Sequence, residues 1–292
     1  MLATVGAVAF SAKAIIVKLA YRYEVDAVTL LMLRMLFALP FFVLLAWWAG
    51  RPRKAGVPCR LTRRDWLGVV GLGISGYYLA SFLDFAGLAY ISASLERLIL
   101  YLNPTLVLAL GWLLYRRTVM RAQLLGIAIS YAGVVLVFGR ELQGGGSAAL
   151  WGATLVFLSA VVYAFYLTYS GELVKRLGSL RLVGLASTVA CICCLLQFAA
   201  LRPMASLQAL APEVLWLSVL NATACTVVPV LLVMMAVERI GSAMTAQSGM
   251  VGPVSTILLS ALLLGEPFTA WLAAGTALVI TGIFVFSRAR PS

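Results

Sequence analysis

The sequence contains no histidine, and only 10 of its 292 residues are acidic. Without imidazole, the commonest general base and most zinc ligand sets are missing. No H-E-x-x-H or G-x-S-x-G motif occurs, and no deep pair of acids is evident, so nothing indicates an enzyme. Charge as a whole is scarce: 11% of residues are charged and 63% are hydrophobic, where an ordinary soluble domain has roughly a quarter charged. Such a chain would expose too much apolar surface in water, and its solvent is lipid. The net charge of +12 does not indicate nucleic acid, because the cations sit in short gaps between apolar runs. Five cysteines are present, and Cys191, Cys193 and Cys194 wrap around one apolar run. No metal or cofactor is expected. The N-terminal stretch lacks a basic n-region and is interrupted by Lys13, so it reads as a first span and not a signal peptide.

What is abundant is apolar sequence, and it repeats. Residues 87–138 recur in outline at 236–287, displaced by 149 positions. At this shift Pro104 meets Pro253, Leu113-Leu114 meet Leu262-Leu263, Gly126 meets Gly275, and Gly133 meets Gly282. A long apolar repeat is the signature of a transporter built from two membrane halves.

A spanning helix needs about 20 residues. Stretches of that order run near 2–21, 27–49, 66–88, 94–115, 122–139, 149–170, 181–201, 213–236, 240–264 and 268–287. The reading is an all-α integral membrane protein of ten transmembrane helices. Residues 1–143 form a first five-helix repeat, 144–148 a Gly-rich external linker, and 149–292 a second repeat. Five is odd, so the second repeat is inverted. With the N-terminus in the cytoplasm, fifteen Lys and Arg residues fall on the inner side and three (Arg22, Arg140, Arg202) on the outer. That asymmetry orients the chain in the inner membrane with both termini cytoplasmic.

These features resemble the drug/metabolite transporter superfamily, specifically its EamA-type members. The resemblance rests on Ser92-Ala93-Ser94, Pro104, Leu113-Leu114, Gly126 and Gly133 in the first half. In the second it rests on Ser242-Ala243, Pro253, Leu262-Leu263-Leu264-Gly265-Glu266, Gly275 and Gly282. Lys18 and Arg34 also stand where the family commonly has a Lys and an Arg. The first repeat departs from the pattern at Arg116-Arg117 and Glu96-Arg97. The resemblance implies a cavity formed mainly by spans one, three, four, six, eight and nine, and alternating access to it. Within the family the chain is most similar to exporters of amino acids, including aromatic and bulky ones.

Outside the loops the remaining charges are Lys13, Lys18, Arg34, Asp84, Glu96 and Arg97, all in the first half. Each costs at least roughly 2.5–3.5 kcal/mol at mid-helix, which marks it as functional or paired. Lys18, Glu96 and Arg97 are near enough to the interface to snorkel. Arg34 and Asp84, or Lys13 and Asp84, are expected either to form an ion pair or to bind the substrate directly. Tyr78, Ser81 and Phe85 share one face of span three, while Tyr77, Ser81 and Asp84 share the next. Tyr101 and Asn103 lie beside Pro104, and Tyr163 and Tyr166 share a face of span six, whereas Trp151 and Tyr169 belong at its ends. Pro104 and Pro253 are the expected helix breaks, with Thr245 and Ser248 supplying hydrogen bonds near the second. Gly71-Leu72-Gly73-Ile74-Ser75-Gly76 fits G-x-G-x-x-G but lies inside a span, where small residues serve helix packing and no dinucleotide.

The expected partners are the lipid bilayer and a small-molecule substrate, and a monomer is compatible with the sequence. The expected function is secondary export of small metabolites, amino acids foremost. The alternatives are exchange of anionic or phosphorylated metabolites, suggested by the excess of cations, and a passive channel or scaffold. Asp84 and Glu96 are the acids placed to relay protons.

Overall fold

The structure, a computed structural model, describes residues 2–50, 61–115, 120–208, 210–232, 235 and 252–288. All regular structure among these residues is helical. In order it comprises α1 (Leu2–Tyr21), α2 (Ala27–Ala49), α3 (Arg63–Leu88), α4 (Ala93–Leu100), α5 (Asn103–Tyr115) and α6 (Arg121–Leu177). There follow α7 (Ser179–Leu201), α8 (Pro212–Leu232), α9 (Gly252–Leu259, continued by a π-helical turn at Ser260–Leu264) and α10 (Ala270–Arg288). Six stretches among the described residues are long and apolar enough to cross a bilayer. They are Ala27–Ala49, Arg63–Leu88, Ala93–Leu114, Arg121–Ser170, Ser179–Leu201 and Pro212–Leu232. Large apolar side chains cover the outside of the bundle, including Leu67, Leu113, Trp216 and Leu262. Such a surface is stable against hydrocarbon and not against water.

The stretch Arg121–Ser170 is 50 residues long, about 75 Å of helix and more than twice the hydrocarbon thickness. Its backbone leaves helical geometry only at Gly146, with φ 55° and ψ −136°, a conformation that a side chain would strain. The glycines expected as a linker are therefore helical apart from this one bend. Pro104 lies just inside the start of α5, after a break at Tyr101-Leu102 that separates α5 from α4. Asn103 bridges that break, its Nδ2 donating to the Leu100 carbonyl at 2.8 Å. The backbone of Pro253 is helical, within α9, while Thr245 and Ser248 are outside the described residues.

Local capping sets several helix starts. Asp26 accepts from Val28 N and Thr29 N at the start of α2, and it pairs with Arg202 across the bundle at 3.2 Å. Partial burial pushes the Asp26 carboxyl up, but hydrogen bonds from Thr29 and the Arg202 guanidinium outweigh it and hold the group below its ordinary value. The start of α4 is bound by two carboxylates. Glu141 accepts from Ser92 N and Ser92 Oγ. Glu266 accepts from Ala93 N at 2.8 Å, Ser94 Oγ at 2.8 Å and Ser94 N at 3.4 Å. Two anions at a helix N-terminus satisfy its free donors and its dipole together. Glu266 is aimed there by Gly265, whose left-handed φ of 70° ends α9. Glu266→Ala strips three donors of their acceptor and is expected to cost about 2 kcal/mol. A clearly lowered thermal midpoint in detergent would register this; an unchanged midpoint refutes it.

The most extensive helix contact among the described residues joins α6 and α10. A Cβ on Gly126 would lie 2.6 Å from the Gly282 carbonyl oxygen, and one on Gly133 would lie 2.5 Å from that of Gly275. The pairs run in opposite directions along the two helices, which are therefore antiparallel. Midway between them, Ser130 Oγ lies 3.5 Å from the Val279 carbonyl oxygen. Shifting by 149 positions carries Ser130 onto Val279, Gly126 onto Gly275 and Gly133 onto Gly282. Exchanging the halves thus turns one glycine contact into the other, the pattern of a two-fold contact.

Candidate functional site

Residues of α1 to α8 line a cavity of about 320 Å³. One wall is charged. Lys13 Nζ of α1 lies 2.5 Å from Asp84 Oδ2 of α3 and 3.5 Å from Glu96 Oε1 of α4. Arg34 of α2 is 4% exposed, and instead of pairing with Asp84 it donates to Ser81 Oγ at 3.0 Å. Its guanidinium stands 4.6 Å over the Phe85 ring, a cation–π contact that helps offset its burial. Arg97 donates from Nε to Thr256 Oγ1 of α9 at 3.0 Å and from Nη2 to the Phe10 carbonyl at 2.7 Å. Glu96 and Arg97 therefore do not snorkel, and Glu96 is fully buried. The sequence reading recognised no deep pair of acids, but folding gathers Asp84 and Glu96 about one lysine, 12 positions apart in the chain.

Aromatic rings form another part of the lining. The Tyr77 and Tyr166 hydroxyls are 3.1 Å apart and their rings meet edge-on at 5.1 Å. Tyr163 stacks on Tyr166 at 5.5 Å. Gly76 leaves the Tyr166 ring room to lie against the α3 backbone, where a Cβ would collide with it. Tyr101 adds a further ring, its hydroxyl seated against Gly252 of α9 with no room there for a Cβ.

Two π-helical turns shape the cavity, Gly73–Leu79 in α3 and Thr223–Val227 in α8. Such turns are rare and concentrate at functional sites. Shifted by 149 positions, the lining residues Gly76, Tyr77 and Ser81 fall on Cys225, Thr226 and Val230, which also line the cavity. The two turns are thus equivalent features of the two halves.

Of the residues singled out from sequence, Lys13, Arg34, Ser81, Asp84, Tyr101, Asn103 and Tyr163 line the cavity. Phe85 lies beneath Arg34 and Tyr166 behind Tyr77, each supporting a lining side chain. Tyr78 packs into the core around α1, α2 and α7. Its neighbour Tyr77 takes the cavity position, on the face it shares with Ser81 and Asp84, which line the cavity with it. Arg34, Met35 and Phe42 of α2 and Ser187 of α7 line the cavity too, beyond the six spans that the family resemblance implied. Thr226, a polar residue of span eight, is a hydrogen-bonding candidate from sequence alone; nothing in the sequence singles out Phe10, Ser159, Ser187 or Cys225 for the cavity.

The sequence profile of the EamA-like transporter family matches residues 1–139 and again residues 150–288. The chain belongs to the EamA-like transporter family. It is accordingly a multi-pass membrane transporter, and the expectation drawn from the Ser-Ala-Ser, proline and Leu-Gly-Glu positions holds. This EamA-like transporter is 32% identical over 272 residues to a Bacillus subtilis (strain 168) protein named Uncharacterized transporter YcbK, covering 90% of this chain and 84% of that one. An Archaeoglobus fulgidus protein named Uncharacterized transporter is 26% identical over 233 residues, covering 79% and 81%. A protein of known crystal structure shares the fold, with a TM-score of 0.66 at 19% identity over 99% of this chain and 98% of that one.

Proposed function

We propose that this EamA-like protein is a ten-span secondary transporter of the inner membrane, with two inverted five-helix repeats and both termini cytoplasmic. It exports small metabolites by alternating access, amino acids with aromatic or bulky side chains foremost. The inverted repeat draws support from the exchanged glycine contacts of α6 and α10 and from the matched π-turns. The 50-residue Arg121–Ser170 stretch, bent at Gly146, has the length for two crossings.

One observation carries the substrate class. The cavity lining combines Asp84, Arg34 and Arg97 with the rings of Tyr77 and Tyr163. A free amino acid presents the complementary groups: an ammonium, a carboxylate and a side chain. A volume of about 320 Å³ is near the lower end for ligand pockets, which suits one small metabolite. The anionic-metabolite reading draws on Lys13, Arg34 and Arg97 outnumbering Asp84 along the lining.

Counterflow in proteoliposomes tests both. Saturable uptake of labelled phenylalanine, accelerated by unlabelled phenylalanine inside, is expected, with glucose 6-phosphate inert. Arg34→Gln, which loses a charge-assisted contact, is expected to weaken apparent affinity by roughly 10- to 100-fold. Acceleration by the phosphate ester alone would transfer the assignment to the anionic class. Flux that rises linearly with concentration would make the protein a channel.

A further inference from the structure

Two carboxylates share one ammonium beside this cavity. Lys13 is paired with Asp84, which lines the cavity, and has Glu96, which is not part of the lining, at 3.5 Å. Neither Glu96 oxygen has a hydrogen-bond partner, and Asp84 Oδ1 is likewise buried without one. The neighbouring cations are turned elsewhere, Arg97 to Thr256 and Phe10, and Arg34 to Ser81. With all three groups ionised, the cluster would bury one surplus negative charge and three unpartnered oxygens. A group in that position neutralises itself. One proton makes the cluster neutral, and Glu96, the carboxylate farther from the ammonium, is where it belongs.

We propose that Glu96 carries an exchangeable proton and that Lys13 switches between two carboxylates to trade this proton for a substrate ammonium. While Glu96 is protonated, Lys13 stays on Asp84 and the cavity wall is neutral. When the Glu96 carboxyl loses its proton to cavity water, Lys13 turns to Glu96 and frees Asp84, which takes the ammonium. Lys13 keeps its charge throughout. One positive charge leaves and one enters, and no covalent bond other than the O–H bond changes. A proton entering from outside reverses the switch and expels the ammonium, which is export by exchange. The titratable and charged groups around the cluster are Lys13 and Tyr21 of α1, Arg34 of α2, Tyr77 and Asp84 of α3, Arg97 and Tyr101 on and after α4, Tyr163 of α6 and Cys225 of α8. The ammonium side of this exchange rests on the amino-acid reading above, and the proton side does not.

Infrared difference titration of the purified protein in nanodiscs reads the proton without any substrate. A buried carboxylic-acid carbonyl band is expected, absent in Glu96→Gln. Asp84→Asn is expected to weaken the same band, because Lys13 then pairs with Glu96 and holds it ionised; a carboxylate with only a packing role would not respond. Glu96→Asp, expected to retain a band, serves if Glu96→Gln does not fold. Equilibrium binding of phenylalanine and of phenethylamine, an ammonium with no carboxylate, is then followed against pH. Apparent affinity is expected to rise about tenfold per pH unit while the band is fully present and to level off as the band is lost, and to be flat in Glu96→Gln. No band in the wild type, or a band that survives Glu96→Gln, overturns the proposal. So does a band accompanied by pH-independent binding, or by no binding of either ligand. Binding of phenethylamine alone, with the tenfold slope, would sink the amino-acid reading and leave the proton exchange standing.

Discussion

Gly133→Leu is expected to abolish accumulation of folded protein. Gly133 faces Gly275 across the α6–α10 crossing, where an added Cβ would lie 2.5 Å from the Gly275 carbonyl oxygen and 2.9 Å from Leu278 Cβ. The obstructing atom is backbone, so no rotamer change relieves the clash. Overpacking a side-chain core costs typically about 1–3 kcal/mol; here two helix axes must separate along their length. In lipid there is little else to hold them, since helix association there depends on close van der Waals packing of small residues. Gly139→Leu is the control, on the same helix with nothing within 4 Å of its Cβ position. It is expected to stay within about 0.5 kcal/mol of the wild type. Gel filtration of a fluorescent fusion in detergent separates the two, and a monodisperse Gly133→Leu protein would mean that this contact is not needed.

Lys13→Met is expected to be the most damaging change at the site. It leaves Asp84, which is 3% exposed, as a buried carboxylate without its cation. Removing one partner of a buried ion pair costs about 3–5 kcal/mol, most of it the price of stranding the other charge. The double variant Lys13→Met/Asp84→Leu removes both ions and leaves Glu96, neutral when protonated. It is expected to recover most of the thermal stability and none of the transport. Equal losses in the single and double variants would show that the two residues do not act as a pair. Full stability of Lys13→Met would show that Asp84 has another cation to turn to.

The sequence placed these charges well but could not pair them. Asp84 was equally compatible with Arg34 and Lys13, because helical periodicity gives the face of a side chain and says nothing of the distance to the next helix. Folding settles it through Ser81 and Phe85, which hold Arg34 aside. Glu96 and Arg97 looked like interface residues because their depth was judged along one helix, and α4 in fact tucks them between α1 and α9. Tyr77 and Tyr78 lie on adjoining faces that both include Ser81, so periodicity alone does not say which of the two reaches the cavity. The glycine matches tell a similar story. Their 149-residue spacing identified equivalent positions, whereas the contacts cross over, Gly126 to Gly282 and Gly133 to Gly275.

By itself the amino-acid order determined the solvent, the helical class, the equivalence of the halves and the small set of charges that lipid makes expensive. Each of these follows from transfer free energy and period, which are properties of a residue and its near neighbours. Only the tertiary structure decided which charge meets which, which tyrosine reaches the cavity, and that two distant acids share one lysine. Those outcomes depend on distances of a few ångströms between helices far apart in the chain, and at that range electrostatic and packing energies are large enough to choose.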